Sequence, residues 1–231
     1  MTKLYLCDIS NFIKEAKENE KFLEGFFDKI GVERMQYILN KKKAEDRARS
    51  LGAALLLLFA LQKEIPEIKT LPDFSYKEND KPYIQGLSNI FFNLSHTKNI
   101  VTCVISDKEV GVDIEHIRDL KETTIRKVFT DKEKKRVQGE RKGYIRLWTM
   151  KEAYAKLTGK GLKEILDGLE IIETEENIKI QKLNQDIRKT SCSYVVAEGE
   201  IFDAYECSYL YSVCTKIPCV VQQIYTKWEE L

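Results

Sequence analysis

Four residues in this chain have types and spacing that could do chemistry together. Asp113 and Glu115 stand two apart in Gly111-Val112-Asp113-Ile114-Glu115, where acidic and β-branched residues alternate. Alternation of that kind predicts a strand, with both carboxylates on one face and Val112 and Ile114 buried on the other. Glu152 and Lys156 stand four apart in the stretch that begins Trp148-Thr149-Met150-Lys151-Glu152. On a helix they share a face, one turn apart. Three carboxylates suit a hard cation such as magnesium, which takes oxygen ligands and leaves room for phosphate oxygens. A lysine beside a diphosphate can neutralise or protonate the departing phosphate. Plainer readings stand beside these. A D-x-E pair can face solvent on an edge strand. A Glu–Lys pair on an exposed helix is worth roughly 0.2–0.5 kcal/mol and nothing more.

Smaller groups lie around this set. Asn93-Leu94-Ser95-His96-Thr97 ends a predicted strand, where polar side chains can meet phosphate oxygens. Ser95 and His96 are adjacent and lack an orienting partner, so they do not read as a nucleophilic pair. Asp80-Lys81-Pro82 is a turn, with Lys81 as a candidate phosphate contact, and Arg47 and Arg49 are further basic candidates. Gly159-Lys160-Gly161 reads either as the end of a helix or as backbone that a ligand can approach closely. The six cysteines (Cys7, Cys103, Cys192, Cys207, Cys214 and Cys219) contain no C-x-x-C pair, and only His96 and His116 could join them. They read as small buried hydrophobes rather than zinc ligands.

The elements that must position these residues follow from periodicity. A strand is predicted over 3–9, charged helical sequence over 11–43, and a helix over 44–62 that is apolar all round and therefore belongs in a core. Pro66, Pro72 and Pro82, with Asp73, Asn79 and Asp80, mark a loop-rich stretch. Strands are expected over 90–94, 100–106 and 110–117. Helical sequence is expected over 121–157, closed by Gly159 and Gly161. Further strands are expected over 169–173, 178–183, 193–197, 201–207, 209–215 and 220–225. This is an α+β pattern repeated loosely in two halves, 1–106 and 107–231, with the switch near Ser106–Lys108.

Composition narrows the function classes. The 231 residues carry 38 Lys and Arg against 37 Asp and Glu, a formal charge of +1, which argues against a bulk nucleic-acid binder. The longest apolar run, Leu51 to Leu61 with Gly52 inside it, is shorter than the roughly 20 residues a membrane span needs. The first residues lack the apolar core of a secretory signal, so a cytoplasmic location is expected. Residues 121–146 hold ten basic and four acidic side chains, a local net charge of +6. They form either a solvated face or a landing surface for an acidic protein partner.

Together the motifs resemble the phosphopantetheinyl transferases, in particular the long surfactin-synthetase-activating type. The resemblance rests on F-N-x-S-H at Phe92–His96, G-V-D-I-E at Gly111–Glu115, and W-x-x-K-E-A-x-x-K at Trp148–Lys156. Lys81-Pro82 and Gly159-Lys160-Gly161-Leu162 add to it. It runs in order from about Arg47 to Leu162, with 37 residues between Glu115 and Glu152. It implies two similar α+β halves with the active site between them. A monomer is expected, since paired halves in one chain could complete the site without a second copy. It implies transfer of phosphopantetheine from coenzyme A to a serine of an acyl or peptidyl carrier protein, with release of adenosine 3',5'-bisphosphate. Asp113, Glu115 and Glu152 would hold magnesium, with manganese as the alternative ion. Glu152 or a metal-associated water would take the serine proton, and Lys156 would stabilise the leaving phosphate. Arg49, Lys81, Pro82, Asn93, Ser95, His96 and Lys156 would hold coenzyme A. The family's N-terminal lysines have no match, and Arg34 is the substitute the resemblance offers. Two other classes remain open on the residues alone: a non-catalytic scaffold for a nucleotide or acidic protein, and a magnesium-dependent phosphohydrolase with water as acceptor.

Overall fold

The computed structural model describes residues 1–76, 81–183 and 193–231, the side chain of Glu20 excepted. Asn79, Asp80 and Cys192 lie outside the described residues.

The chain starts with β1 (Thr2–Asp8), whose Asp8 carboxylate accepts the Ser10 N–H at 2.8 Å and opens α1 (Ser10–Glu18). A 3-10 segment (Glu20–Lys29) places Phe22 and Phe26 against Phe12. Then come α2 (Val32–Leu39) and α3 (Ala44–Glu64). Leu51 to Leu58 of α3 are all buried, as an apolar helix requires, and α3 packs on the first sheet. Two short strands, β2 (Ser75–Tyr76) and β3 (Pro82–Tyr83), pair with each other. Next are β4 (Phe91–Thr97), β5 (Ile100–Ser106) and β6 (Val110–His116). The helical stretch is α4 (Glu122–Val128), α5 (Asp131–Val137), α6 (Arg141–Thr158) and α7 (Gly161–Leu166). The chain then forms β7 (Leu169–Glu173), β8 (Ile178–Lys182), β9 (Ser193–Phe202), β10 (Ser208–Thr215) and β11 (Val221–Lys227).

Besides the β2–β3 pair, two larger sheets form among the described residues, β11-β1-β5-β4 and β6-β10-β9-β8-β7. The chain leaves the first sheet for the second at the β5–β6 turn. It returns at the end, because β11 pairs in parallel with β1. β4 and β6 are the facing edges of the two sheets, and side chains replace the missing ladder between them. Asn93 Oδ1 accepts the Val112 N–H at 3.0 Å, and Ser95 Oγ accepts the Ile114 N–H at 3.4 Å. Asn93 and Ser95 are two apart on β4, and Val112 and Ile114 two apart on β6. Both pairs therefore point into the seam.

Three expectations are corrected. The helical run 121–157 is three helices, because Thr130 starts α5 with a capping box to Glu133 and Gln138 ends it at positive φ. Gly161 does not end a helix. Gly159 ends α6 at φ 74°, and Gly161 begins α7. The expected strands 193–197 and 201–207 are one strand that stops at Phe202. Asp203 turns the chain there by accepting the Tyr205 and Cys207 N–H groups, both at 2.9 Å. The charge of 121–146 is matched in part by acids of the second sheet. Lys132 meets Glu170, Lys142 meets Glu200, and Arg146 meets Glu173 and Glu198.

Candidate active site

The site is the contact between β6 and α6. Gly111 permits it, because a Cβ there would run into the Ala153 carbonyl oxygen and the Leu157 nitrogen. The helix crosses antiparallel to the strand. Glu115 meets Trp148, whose indole N–H donates to Oε1 at 3.3 Å, and Asp113 meets Lys156 two turns later. Trp148, Glu152 and Lys156 share one helical face. Glu152 therefore stands between the two contacts, facing both Asp113 and Glu115.

Asp113 is the centre of the arrangement. It is 5% exposed, and its Oδ1 accepts bonds from Lys156 Nζ at 2.7 Å and Ser95 Oγ at 2.9 Å. Lys156 also donates to Ser95 Oγ at 2.8 Å. The other oxygen, Oδ2, is buried and has no hydrogen-bond partner among the described residues. A buried carboxylate oxygen without a donor is costly, which marks this atom as awaiting a ligand. Glu152 is pushed up to about 7 by burial and then by the Asp113 charge, with Lys156 opposing. Glu115 is raised by the same two causes, burial and Asp113, and held back by Arg118 and Trp148. The three acids predicted from the sequence thus share one field. As the side chains stand they do not close around a point. Among the described residues no three His, Cys, Asp or Glu groups are arranged to hold a metal ion. Lys156 occupies Asp113 Oδ1, and Glu115 turns toward Trp148 and Arg118 (3.4 Å). An all-oxygen donor set with one orphaned buried oxygen still fits magnesium or manganese chemically.

A cationic group borders the acids. His96 is lowered to about 4 by the protein packed around it and then by Lys156, Arg49 and Lys41, although part of its surface stays open to water. The imidazole is therefore neutral near pH 7 and sits among positive charges. Arg49 is held there by Asp46 at 2.6 Å and the Lys98 carbonyl at 3.2 Å. Beside Lys156 a cavity of about 170 Å³ is lined by Lys81, Pro82, Asn93, Ala155, Gly159 and Gly161. A larger one, about 590 Å³, lies at the β5–β6 turn and has none of these acids in its wall.

Several expected ligand contacts turn out to hold the fold. Lys81 is 6% exposed and donates to the carbonyls of Val110 at 3.1 Å and Leu157 at 2.9 Å. It ties the start of β6 to the last turn of α6, whose final carbonyls lack helical partners. Asn93 stitches the sheet edges. Arg34 stacks on Tyr37 and Phe74 and donates to the Ser50 carbonyl at 3.3 Å, so it does not reach the site as a substitute cation. The sequence reading missed Lys151, which is wholly buried and paired with Glu133 at 2.8 Å. Its signal was a lysine beside Met150 on a helix otherwise read for its acid.

Comparison with known proteins points to one family. The profile of the 4'-phosphopantetheinyl transferase superfamily matches residues 109–210, which contain Asp113, Glu115, Glu152 and Lys156. The chain is 28% identical to the 4'-phosphopantetheinyl transferase gsp of Aneurinibacillus migulanus, over 85% of this chain and 83% of that one. It is 25% identical to psf-1 of Bacillus pumilus over 96% and 91%, and 28% identical to Sfp of Bacillus subtilis (strain 168) over 67% and 70%. Residues 109–210 are thus similar to the 4'-phosphopantetheinyl transferase superfamily, and transferases of that name align with most of the chain. The α+β fold is consistent with that similarity.

Proposed function

We propose that this chain transfers the phosphopantetheine of coenzyme A to a serine hydroxyl of an acyl or peptidyl carrier protein and releases adenosine 3',5'-bisphosphate. The observation that carries the reading is the Asp113–Lys156–Ser95 cluster, with its orphaned carboxylate oxygen, set beside Glu115 and Glu152. The two halves, 1–106 and 107–231, would meet at the β4–β6 seam, with coenzyme A between them.

In this reading the serine oxygen bonds to the phosphorus that carries pantetheine, and the phosphoanhydride bond to the nucleotide breaks. Glu152 takes the serine proton. Burial and the Asp113 charge make Glu152 more basic than an ordinary carboxylate when no cation is bound, which suits a proton acceptor. Lys156 stands where negative charge grows on the leaving phosphate. Arg49 and His96 face the nucleotide end, Arg49 as a fixed cation and His96 as a neutral donor or acceptor. Ser95 holds Lys156 and Asp113 in register. Asp113, Glu115 and Glu152 would be the ligands of a divalent cation, whose chemistry is to neutralise the diphosphate and favour its departure. Lys81, Pro82 and Asn93 shape the cavity wall beside it.

The test is the intact mass of an apo carrier protein after incubation with coenzyme A and magnesium. The expected result is the gain of one phosphopantetheine group on its serine. Loss of coenzyme A without any carrier would select the phosphohydrolase reading. Tight binding of carrier with no mass change would select the scaffold.

A further inference from the structure

Lys151 precedes Glu152 and takes no part in the chemistry above, yet it is among the most completely buried large side chains in the chain. Its ammonium donates to the Val128 carbonyl at 2.7 Å, the Leu169 carbonyl at 2.8 Å and Glu133 Oε2 at 2.8 Å, which uses all three of its protons. Glu133 also accepts the Thr130 N–H at 2.8 Å and the Ile171 N–H at 2.9 Å. One ion pair therefore joins the end of α4, the start of α5, α6 and β7.

Such a pair is a poor source of stability, since removing two charges from water offsets most of their attraction and apolar residues of similar volume often serve as well. What it supplies is direction. Apolar packing tolerates small rotations of a helix, whereas three hydrogen bonds from one ammonium fix its side chain's angle. We propose that the Lys151–Glu133 pair is a positioning device that sets the rotation of α6 about its axis and so aims Glu152 at the reacting serine. The proposal rests on the reading of Glu152 as proton acceptor. Gly111 fixes how close α6 lies to β6, and the Thr149–Ser212 hydroxyl bond at 2.9 Å holds the helix to β10. Lys151 anchors the helix to α4, α5 and β7. Successive helical residues differ by about 100°, so a roll of about 20° would move the Glu152 carboxylate by roughly 2 Å. A displacement of about 1 Å is enough to cost on the order of 10² in rate.

The experiment measures kcat and the KM for coenzyme A with an apo carrier protein, together with thermal unfolding. It compares wild type with the double variant Lys151→Met/Glu133→Leu, which removes both charges and keeps an apolar filling. The expected result is a folded variant with KM within about threefold of wild type and kcat at least about tenfold lower. A folded variant with kcat within about twofold of wild type overturns the proposal. Should the double variant fail to fold, Glu133→Gln takes its place. It is expected to lower kcat about threefold with KM unchanged, and unchanged kcat overturns the proposal there too. A wild type that modifies no carrier at all overturns the transferase reading, and the positioning role with it. An active wild type with an equally active variant removes the positioning role alone.

Discussion

Helix α6 carries two lysine–carboxylate pairs five residues apart, and they are opposites. Lys151 and Glu133 are sealed at 0% and 1% exposure, and each charged oxygen and proton has a partner. The side chains of Lys156 and Asp113 are 29% and 7% exposed, and one oxygen of Asp113 has no partner among the described residues. A saturated pair has nothing left to offer a ligand and can only hold structure. An unsaturated one is strained electrostatically and has bonds to give. The contrast separates framework from chemistry on a single helix, although both lysines stand in the same short motif.

The largest expected effect tests the open pair. Asp113→Ala should fold with unfolding close to wild type and lose about 10³-fold or more in carrier modification, read by intact mass. Near-normal turnover would mean that the site is elsewhere. The sealed pair should respond the other way. Glu133→Ala leaves Lys151 buried without its counter-charge and should cost about 3–5 kcal/mol in denaturant unfolding. Lys156→Met should cost less than that, because the Lys156 side chain is 29% exposed and the Ser95 hydroxyl still donates to the carboxylate left behind. Equal losses at the two sites would erase the contrast.

A smaller effect concerns pH in the absence of added metal. Glu152 is raised to about 7 from its ordinary 4.5, so between those values the folded chain holds a proton that the unfolded chain has released. Its contribution to stability is therefore present below about pH 4.5 and lost as pH rises through about 7, by on the order of 1–2 kcal/mol after solvent screening. His96, lowered to about 4, gives a slope of the opposite sign between about 4 and 6.5. The quantity to measure is thus the difference between wild type and Glu152→Gln. The variant should gain on wild type between pH 5 and pH 8, and a flat difference would show that Glu152 is not raised. The smallest expected change is at the cap that serves the sealed pair. Thr130→Ala should lower stability by about 1 kcal/mol and leave turnover untouched.

The strand and helix of the site were legible because their periods are strong and local. Val112 and Ile114 alternate with the acids, and Trp148, Glu152 and Lys156 recur at helical spacing. The α+β class followed from the same signals. Residues whose role depends on distant partners were not legible. Lys81 and Asn93 look like ligand contacts in sequence, and only the approach of β6 to α6 and to β4 shows that main-chain groups also engage them. Glu133 read as one acid in a basic stretch, because its partner lies 18 residues away. The strand after residue 193 was split in two because Gly199 and the polar residues around it weaken the β signal, and the pairing with β10 overrides that weakness.

The pairing of β11 with β1 has a consequence for how the molecule is made. Seven residues near one end of the sequence complete a sheet begun by seven near the other. Once β10 has been made the second sheet can assemble, but until β11 follows one side of β1 has no neighbour. A nascent chain at that moment shows an open, strongly apolar strand to its surroundings, a natural target for chaperones and a seed for misassociation. Synthesis of the last strand is the event that closes it.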